Sequence, residues 1–206
     1  MFAKPAAVVG VLGTAITAGY AWTLHRHLHT DPLTGLANRA ALHTAFARAQ
    51  RRARPGELIG VLMCDVDGFK AVNDTHGHRT GDLLLQSIAT DLARIAGPGE
   101  LPVRLAGDEF AVLLTRLPEV RAAESRARAY RTALAAERGV GDLRLRLRVS
   151  VGPAVDTARD TTLSALLGHA DARMYALKQQ HRITTLPATP EYPTARLRDH
   201  RREEAA

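Results

Sequence analysis

The hydrophobic pattern of the chain changes period several times, and these changes predict strands and helices in alternation. Continuous apolar runs at Leu58–Cys64 and Phe110–Leu114 indicate buried strands, and alternation of apolar residues with arginine over Leu143–Val151 indicates a half-buried strand. Apolar residues spaced three or four apart predict four helices. The first begins at about Asn38, the second covers Leu84–Ile95, the third runs from Pro118 to about Glu137, and the fourth covers Leu163–Leu177. This order predicts an α/β fold in which helices flank a mixed central sheet.

Turn-forming residues set the limits of these elements. The run Asp31–Gly35 marks the start of the domain, and the glycine–proline segments at Arg54–Gly56 and Gly97–Gly99 end helices. A polar loop is predicted over Asn73–Gly81. A hairpin is predicted from Leu101 to Leu114, and its tip is acidic.

The N-terminal segment predicts a membrane anchor. Residues 6–24 are apolar or weakly polar, follow Lys4 and carry Tyr20 and Trp22 near their end, and their length is close to the roughly 20 residues that span a bilayer. A cleaved signal peptide and a soluble helix packed on a partner are the alternatives. The predicted domains are an anchor and juxtamembrane segment at 1–29, a catalytic domain at 30–183 and a disordered charged tail at 184–206.

Composition narrows the function classes. The 206 residues carry a net charge of +7, but aromatic residues make up only 4% of the chain, so a base-stacking surface is not expected and a nucleic-acid binder is disfavoured. The 46% hydrophobic content suffices for one core. Cys64 is the only cysteine and lies in an apolar strand, which indicates a buried thiol rather than a reactive one.

Two acidic patches carry the strongest chemical signal. Asp65 and Asp67 follow one strand, and Asp108 and Glu109 precede another, so the ends of the strands can bring the carboxylates together. Clustered carboxylates repel each other unless they share a cation, and Mg²⁺ prefers oxygen ligands of this kind. The sequence therefore predicts a divalent-metal site, and Lys70 beside it suits a metal-bound polyphosphate.

The polar segment after Lys70 allows two interpretations. Asn73 and Asp82 bracket a loop of the kind that covers a ligand, and an amide with a carboxylate can bind a guanine edge. On spacing alone, a loop turn for Asn73 and a helix N-cap for Asp82 explain these residues equally well or better.

Taken together, the motifs resemble the GGDEF diguanylate cyclase family. The resemblance rests on five segments, in the family's order and spacing, over about Thr30 to Arg182: Asp31–Arg39, Asp65–Lys70, Asn73–Asp82, Arg104–Phe110 and Ala170–Lys178. It implies the family's nucleotidyl-cyclase-like fold and condensation of two GTP into cyclic di-GMP with release of pyrophosphate. It also implies a homodimer and Mg²⁺, with Mn²⁺ as an alternative.

The resemblance also implies roles for single residues. Asp65 and Asp108 would bind the metal by carboxylate and Val66 by its carbonyl, and the catalytic residues would be Asp108, Glu109 and Lys70. The substrate would be bound by Asn73, His78, Asp82, Gly107, Lys178 and Arg182. The catalytic domain would lie in the cytoplasm at the inner membrane, or be wholly cytoplasmic.

Two departures from the family pattern bear on activity. The first glycine of the hairpin motif is Ala106, whose methyl group is tolerated if the turn does not need a positive φ there. The Arg-x-x-Asp product site of many members is replaced by Gly97-Pro98-Gly99-Glu100, so no product inhibition through that site is predicted. A catalytically silent nucleotide-binding module that signals by protein contact is the alternative function.

Overall fold

The computed structural model describes residues 28–146 and 148–184 of the chain, with side chains to residue 179. The elements in chain order are α1 (Arg39–Arg52), β1 (Leu58–Val66), α2 (Phe69–His76), α3 (His78–Ile95), β2 (Glu100–Ala106), β3 (Glu109–Leu117), α4 (Val120–Leu134), β4 (Arg138–Val140), β5 (Leu143–Leu145), β6 (Val149–Thr157) and α5 (Leu163–Thr184), and they include the four predicted helices. The predicted span at 6–24 and the predicted tail from 186 onward lie outside the described residues. No helix within the described part is long and apolar enough to cross a membrane.

The central sheet has the strand order β2-β3-β1-β6, and β4 pairs with β5 in a separate two-stranded sheet. All three pairings in the central sheet are antiparallel. The prediction of helices around a central sheet is confirmed, but its strands are antiparallel rather than mixed. The reason is that β3 lies between β1 and β2, which run in the same direction, so the parallel pair is split.

The sheet separates two hydrophobic cores. Along β1, side chains alternate between its faces, with Leu62 and Cys64 in the core under α3 and α4, and Val61 and Met63 in the core under α1 and α5. Burial raises the pKa of the Cys64 thiol to about 12, consistent with an unreactive core thiol. The domain therefore has three layers, with α2, α3 and α4 on one face of the sheet and α1 and α5 on the other.

Two predicted segments differ in the structure. The predicted loop over Asn73–Gly81 is helical except for a break at Gly77, whose φ of 82° is the left-handed conformation that glycine adopts readily. The predicted strand over Leu143–Val151 is divided into β5 and β6. The alternation of apolar residues with arginine runs without interruption from Leu143 to Val149, so the pattern did not reveal the division.

A close contact fixes α5 against β6. At Gly152, a side-chain Cβ would collide with the backbone of Ala170 and Met174 in α5. Only glycine permits this approach of helix to strand. The contact is important for the site because α5 also carries Lys178.

Candidate active site

The antiparallel pairing of β1 with β3 brings the two acidic patches together. Asp65 lies directly opposite Glu109 in the register of the two strands, and on its other side it lies opposite Ser150 of β6. Both predicted patches thus meet at one end of the sheet, although about forty residues separate them in the chain.

Lys178 supplies a positive charge to this cluster from α5. Its ammonium group forms an ion pair with Asp65 and lies 3.8 Å from the Oδ1 atom of Asp67. Ser150 Oγ donates hydrogen bonds to both carboxylate oxygens of Asp67 at 3.1 Å, and the Asp67 amide donates to the carbonyl of Arg148 at 3.0 Å. These bonds hold the Asp67 carboxylate toward Lys178.

The cluster shifts the protonation of its members. Burial raises the pKa of Asp108 above its ordinary value, and the negative charge of Asp65 raises it further, although Lys178 and Arg104 act in the opposite direction. Burial alone would lower the pKa of Lys178, but its bond to Asp65 and the charges of Asp67 and Asp108 outweigh burial and raise it. Asp65 and Asp108 are therefore close enough to repel each other, and Lys178 is held in its charged form.

Arg104 fixes the hairpin turn that carries Asp108. Its Nε and Nη2 atoms donate to the carbonyl of Gly107 at 3.0 and 2.9 Å, and its Nη1 atom donates to the Asp31 carboxylate at 3.0 and 3.3 Å. Asp31 in turn accepts bonds from the amide and the hydroxyl of Thr34. A single guanidinium group therefore joins the turn at the start of the domain to the acidic hairpin.

Ala106 is compatible with this hairpin. Gly107 has a φ of 51°, whereas Ala106 is not among the positive-φ residues of the described chain. Ala106 is the last residue of β2, pairs with Glu109 and is exposed to solvent. The turn therefore does not need a positive φ at Ala106, and the methyl group of this residue is sterically tolerated.

The residues expected to bind guanine lie on α2 and α3. The Asn73 Oδ1 atom is buried and has no hydrogen-bond partner among the described residues, and Gly81 packs directly on the Asn73 amide. Asp82 is exposed within α3, so the alternative reading of Asp82 as an N-cap is wrong, because Gly77 occupies the cap position. His78 is the exposed first residue of α3.

The residues expected to bind phosphates come from two helices. Lys70 is exposed in the first turn of α2, near the end of β1. Lys178 lies in α5, and Arg182 follows it on the same helix, although the Arg182 side chain lies outside the described part. The structure therefore brings Lys178 to the carboxylates and leaves the position of the Arg182 guanidinium open.

The donor set predicted for a metal consists of two carboxylates and a carbonyl. Among the described residues, no group of three or more His, Cys, Asp or Glu side chains is arranged to hold a metal ion. Asp65, Asp108 and the Val66 carbonyl are hard oxygen donors of the kind that Mg²⁺ prefers, and Mg²⁺ usually keeps waters and substrate oxygens in its remaining positions. The residues therefore fit a divalent ion that arrives with a phosphate ligand.

Sequence reasoning assigned no role to three residues of the site. Arg104 and Asp31 belong to two separate motifs of the sequence. The hydrogen bond between them joins residues that are 73 positions apart, and the motifs alone do not predict it. Ser150 was an unremarked polar residue in an apolar strand, and it is fully buried. A buried serine within a strand is the one local signal that could have pointed to a polar partner such as Asp67.

Carboxylates beside a lysine suit a metal-bound phosphate ligand, because Mg²⁺ is usually held by one or two carboxylates together with phosphate oxygens. The family model described as "Diguanylate cyclase, GGDEF domain" matches residues 28–184. The chain belongs to the GGDEF diguanylate cyclase family.

Individual relatives agree with this assignment. Diguanylate cyclase TpbB of Pseudomonas aeruginosa is 36% identical over an alignment of 171 positions that covers 78% of this chain and 37% of that protein. Cyclic di-GMP phosphodiesterase PdeR of Escherichia coli is 32% identical over 163 residues, which are 79% of this chain and 24% of that protein. The chain thus spans less than half the length of these curated relatives.

A solved structure of similar fold comes from Caulobacter crescentus. It contains the coiled coil and GGDEF domain of DgcB in complex with c-di-GMP, and it matches with a TM-score of 0.76 at 26% identity. The match covers 86% of this chain and 94% of that one. The antiparallel sheet and its flanking helices are therefore those of a GGDEF domain.

Proposed function

We propose that the chain is a diguanylate cyclase that condenses two molecules of GTP into cyclic di-GMP and releases two pyrophosphates. The observation that carries this proposal is the cluster at the end of β1 and β3, where Asp65 and Asp108 face the ammonium group of Lys178. A paired set of carboxylates with a fixed cation suits the transfer of a phosphoryl group.

The substrate contacts divide between the ends of the site. Lys70, Lys178 and Arg182 would bind the triphosphate, because an ammonium or guanidinium group neutralises phosphate oxygens. Asn73 and Asp82 would bind the guanine edge, and the unpartnered Oδ1 of Asn73 supports this role. His78 at the start of α3 would line the nucleotide, and Gly107 would let the hairpin backbone approach it closely.

A divalent ion belongs to this proposal. Asp65, Asp108 and the Val66 carbonyl would hold Mg²⁺, or Mn²⁺ as an alternative. When bound, such an ion neutralises phosphate charge and lowers the pKa of a hydroxyl group.

The reaction forms one bond and breaks one bond at each phosphorus. The 3′-hydroxyl oxygen of one GTP attacks the α-phosphorus of the other, and the bond from that phosphorus to the pyrophosphate oxygen breaks. In this proposal Asp108 lies beside the attacking hydroxyl and would accept its proton. Lys70 stabilises the negative charge that develops on the transferred group, and Glu109 completes the acidic tip.

The active form would be a homodimer. One domain offers one guanine-binding pair and one set of phosphate-binding cations, so each copy holds a single GTP. Two copies that face each other antiparallel would present each hydroxyl to the opposing phosphate. Anchoring of the chain at the cytoplasmic membrane by residues 6–24, with the catalytic domain in the cytoplasm, is part of the same proposal.

The decisive experiment is incubation of the purified chain with GTP and Mg²⁺, followed by quantification of cyclic di-GMP and pyrophosphate in a ratio of one to two. Asp108→Asn should abolish product and leave the fold intact, whereas Asp142→Asn, an exposed change in the turn between β4 and β5, should leave turnover unchanged. A folded, dimeric wild type that binds GTP and forms no product would contradict the proposal and favour the silent nucleotide-binding module.

A further inference from the structure

The ammonium group of Lys178 lies where a divalent ion would contact Asp65. Lys178 forms an ion pair with the Oδ1 atom of Asp65, and Asp65 is one of the two carboxylates predicted to hold the ion. Two cations in contact with the same carboxylate repel each other strongly. Binding of an ion by Asp65 and the ion pair with Lys178 are therefore alternatives, and the ammonium group has to move when an ion binds.

Asp67 offers the ammonium group a second position. Its Oδ1 atom lies 3.8 Å from the Nζ atom of Lys178, so a shift of about 1 Å would bring the two atoms to the distance of a charge-assisted hydrogen bond. Lysine carries its charge on a flexible four-carbon stem, which permits such a shift. Asp67 is not among the residues predicted to bind the ion, so it stays available to Lys178 after an ion has taken Asp65.

The Asp67 carboxylate is fixed by β6. Ser150 is fully buried, and its hydroxyl group donates to both carboxylate oxygens of Asp67 at 3.1 Å. The Asp67 amide donates to the carbonyl of Arg148 at 3.0 Å, which continues the pairing of β1 with β6 one residue beyond Val66 and Val149. A carboxylate held in this way offers a cation a partner in a constant position.

The packing of α5 on β6 determines where Lys178 can reach. Gly152 lies directly against the backbone of Met174. From this contact, Lys178 is one helical turn further along α5, about 6 Å away, and Ser150 is two residues back along β6, about 7 Å away. Residue numbers rise along α5 as they fall along β6, so the two displacements have the same direction and Lys178 lies over the Ser150–Asp67 pair.

We propose that Lys178 is a resident counter-ion of the carboxylate cluster, and that its ammonium group passes from Asp65 to Asp67 when a divalent ion binds Asp65. Asp67, oriented by Ser150, is then a positioning residue that keeps the ammonium group beside the phosphates that accompany the ion. This inference rests on the proposed cyclase function and adds an exchange of cations to it. An ion alone should bind weakly, because it has to displace Lys178, whereas an ion that arrives with a triphosphate gives Lys178 new partners.

The first test is binding of Mn²⁺ to the full 206-residue chain without nucleotide, followed by the electron paramagnetic resonance signal of the free ion. Lys178→Met removes the competing cation and keeps a side chain of similar length, so Mn²⁺ should bind about tenfold more tightly. Lys70→Met is the matched control, because Lys70 is exposed and, within the described part of the chain, forms no ion pair with the cluster. This control should change the affinity less than about threefold, since solvent and salt screen an exposed charge.

A nucleotide should reverse the effect of the Lys178 substitution. The ligand is the Mn²⁺ complex of 3′-deoxy-GTP, which lacks the attacking hydroxyl and forms no cyclic product. Lys178→Met should bind this complex about tenfold more weakly than the wild type, because the phosphates lose a charged partner. Thermal unfolding of each variant verifies that it is folded, and Lys178→Gln provides a polar replacement with the same expected result.

A double-mutant cycle tests the role of Asp67. Asp67→Asn keeps an oxygen that can accept from Ser150 and removes the charge that attracts Lys178. It should weaken binding of the nucleotide complex about fivefold when Lys178 is present and have little effect in the Lys178→Met background. Equal effects in both backgrounds would show that Asp67 acts on the ligand directly, and would overturn the positioning role.

The exchange itself is also open to refutation. Equal Mn²⁺ affinities of Lys178→Met and Lys70→Met without nucleotide, or no binding of millimolar Mn²⁺ by Lys178→Met, would overturn it. None of these measurements requires product formation. A failure of the exchange is therefore distinguishable from a failure of the proposed cyclase function.

Discussion

Replacement of Arg104 by lysine tests how the hairpin is held. The arginine makes two hydrogen bonds to the Gly107 carbonyl and two contacts with Asp31, and its side chain is only 13% exposed. Lysine keeps the positive charge but has a single donor atom, so it cannot reach both partners. Arg104→Lys therefore loses the link between the start of the domain and the acidic turn.

The expected loss of stability is about 2 kcal/mol. Hydrogen bonds to charged groups contribute about 1.5–3 kcal/mol each, but lysine retains one of them and Asp31 keeps its bonds to Thr34. For a domain of this size, about 2 kcal/mol corresponds to a fall in melting temperature of about 4–8 °C. The turnover number should fall by about 100-fold, because a shift of about 1 Å in Asp108 misplaces the reacting groups.

The assay compares thermal unfolding and steady-state cyclic di-GMP synthesis for Arg104→Lys and a matched control, Arg94→Lys. Arg94 pairs only with Asp91 on the exposed face of α3, so its replacement should change neither quantity measurably. The turnover number should fall more than KM rises, because the proposed guanine contact at Asn73 lies on α2, outside the hairpin. Equal behaviour of the two variants would refute the proposed role of Arg104.

The pH dependence of the same variant provides a second check. Burial opposes ionisation of Asp31, but hydrogen bonds from Thr34 and Arg104 outweigh burial and lower its pKa below 3.8. A carboxyl group with a lowered folded-state pKa contributes stability above its unfolded value and loses that contribution as the pH falls. The gap in stability between wild type and Arg104→Lys should therefore narrow as the pH falls below about 3.8.

Three further predictions concern other parts of the domain. Gly152→Ala should destabilise the domain by about 3 kcal/mol by overpacking against α5, whereas Gly139→Ala, with open space around its Cβ, should change the melting temperature little. The pKa of Asp108 is raised in the folded state, so the free energy of unfolding of the wild type falls as the pH rises through that pKa. Asp108→Asn removes the disfavoured charge, so this variant should have a higher melting temperature than the wild type at neutral pH while it forms no product. Cyclic di-GMP should not inhibit turnover through the turn before β2 and the adjoining Glu100, because Arg126 binds the Glu100 carboxylate. Product inhibition that is relieved in Glu100→Gln would contradict this prediction.

Local sequence patterns predicted the elements and the meeting of the acidic patches. The apolar runs before Asp65 and after Glu109 specify two strands, and a hairpin partner beside β1 is sufficient to bring the carboxylates together. The order of the strands in the central sheet could not be predicted from local patterns, because insertion of β3 between β1 and β2 depends on packing between distant segments. The same holds for Ser150, which lies 83 positions from Asp67 in the chain.

Details of the backbone conformation could also not be predicted from the pattern of hydrophobic and polar residues. Helix α2 continues where polar residues predicted a loop, since a single left-handed glycine at Gly77 is enough to separate two helices. A β-bulge in β3 at Thr115 and Arg116, where Arg116 has a φ of 58°, has no sequence signal, because arginine rather than glycine occupies the left-handed position. Strained residues contradict local preference, and tertiary contacts such as the hydrogen bonds of Thr115 to the Gly99 carbonyl hold them in place.

Gly81 has no side chain, and the Asn73 amide occupies the space that a Cβ atom at this position would take. A methyl group there would displace the Asn73 amide, which is the far end of a side chain, and would leave the backbone in place. Asp65, Asp108 and Lys178 lie at the end of β1, in the β2–β3 turn and on α5, whereas Asn73 and Gly81 lie on α2 and α3. A single substitution at position 81 would therefore change the base preference proposed for the domain while the carboxylates and Lys178 keep their positions, so the two proposed properties are open to separate selection.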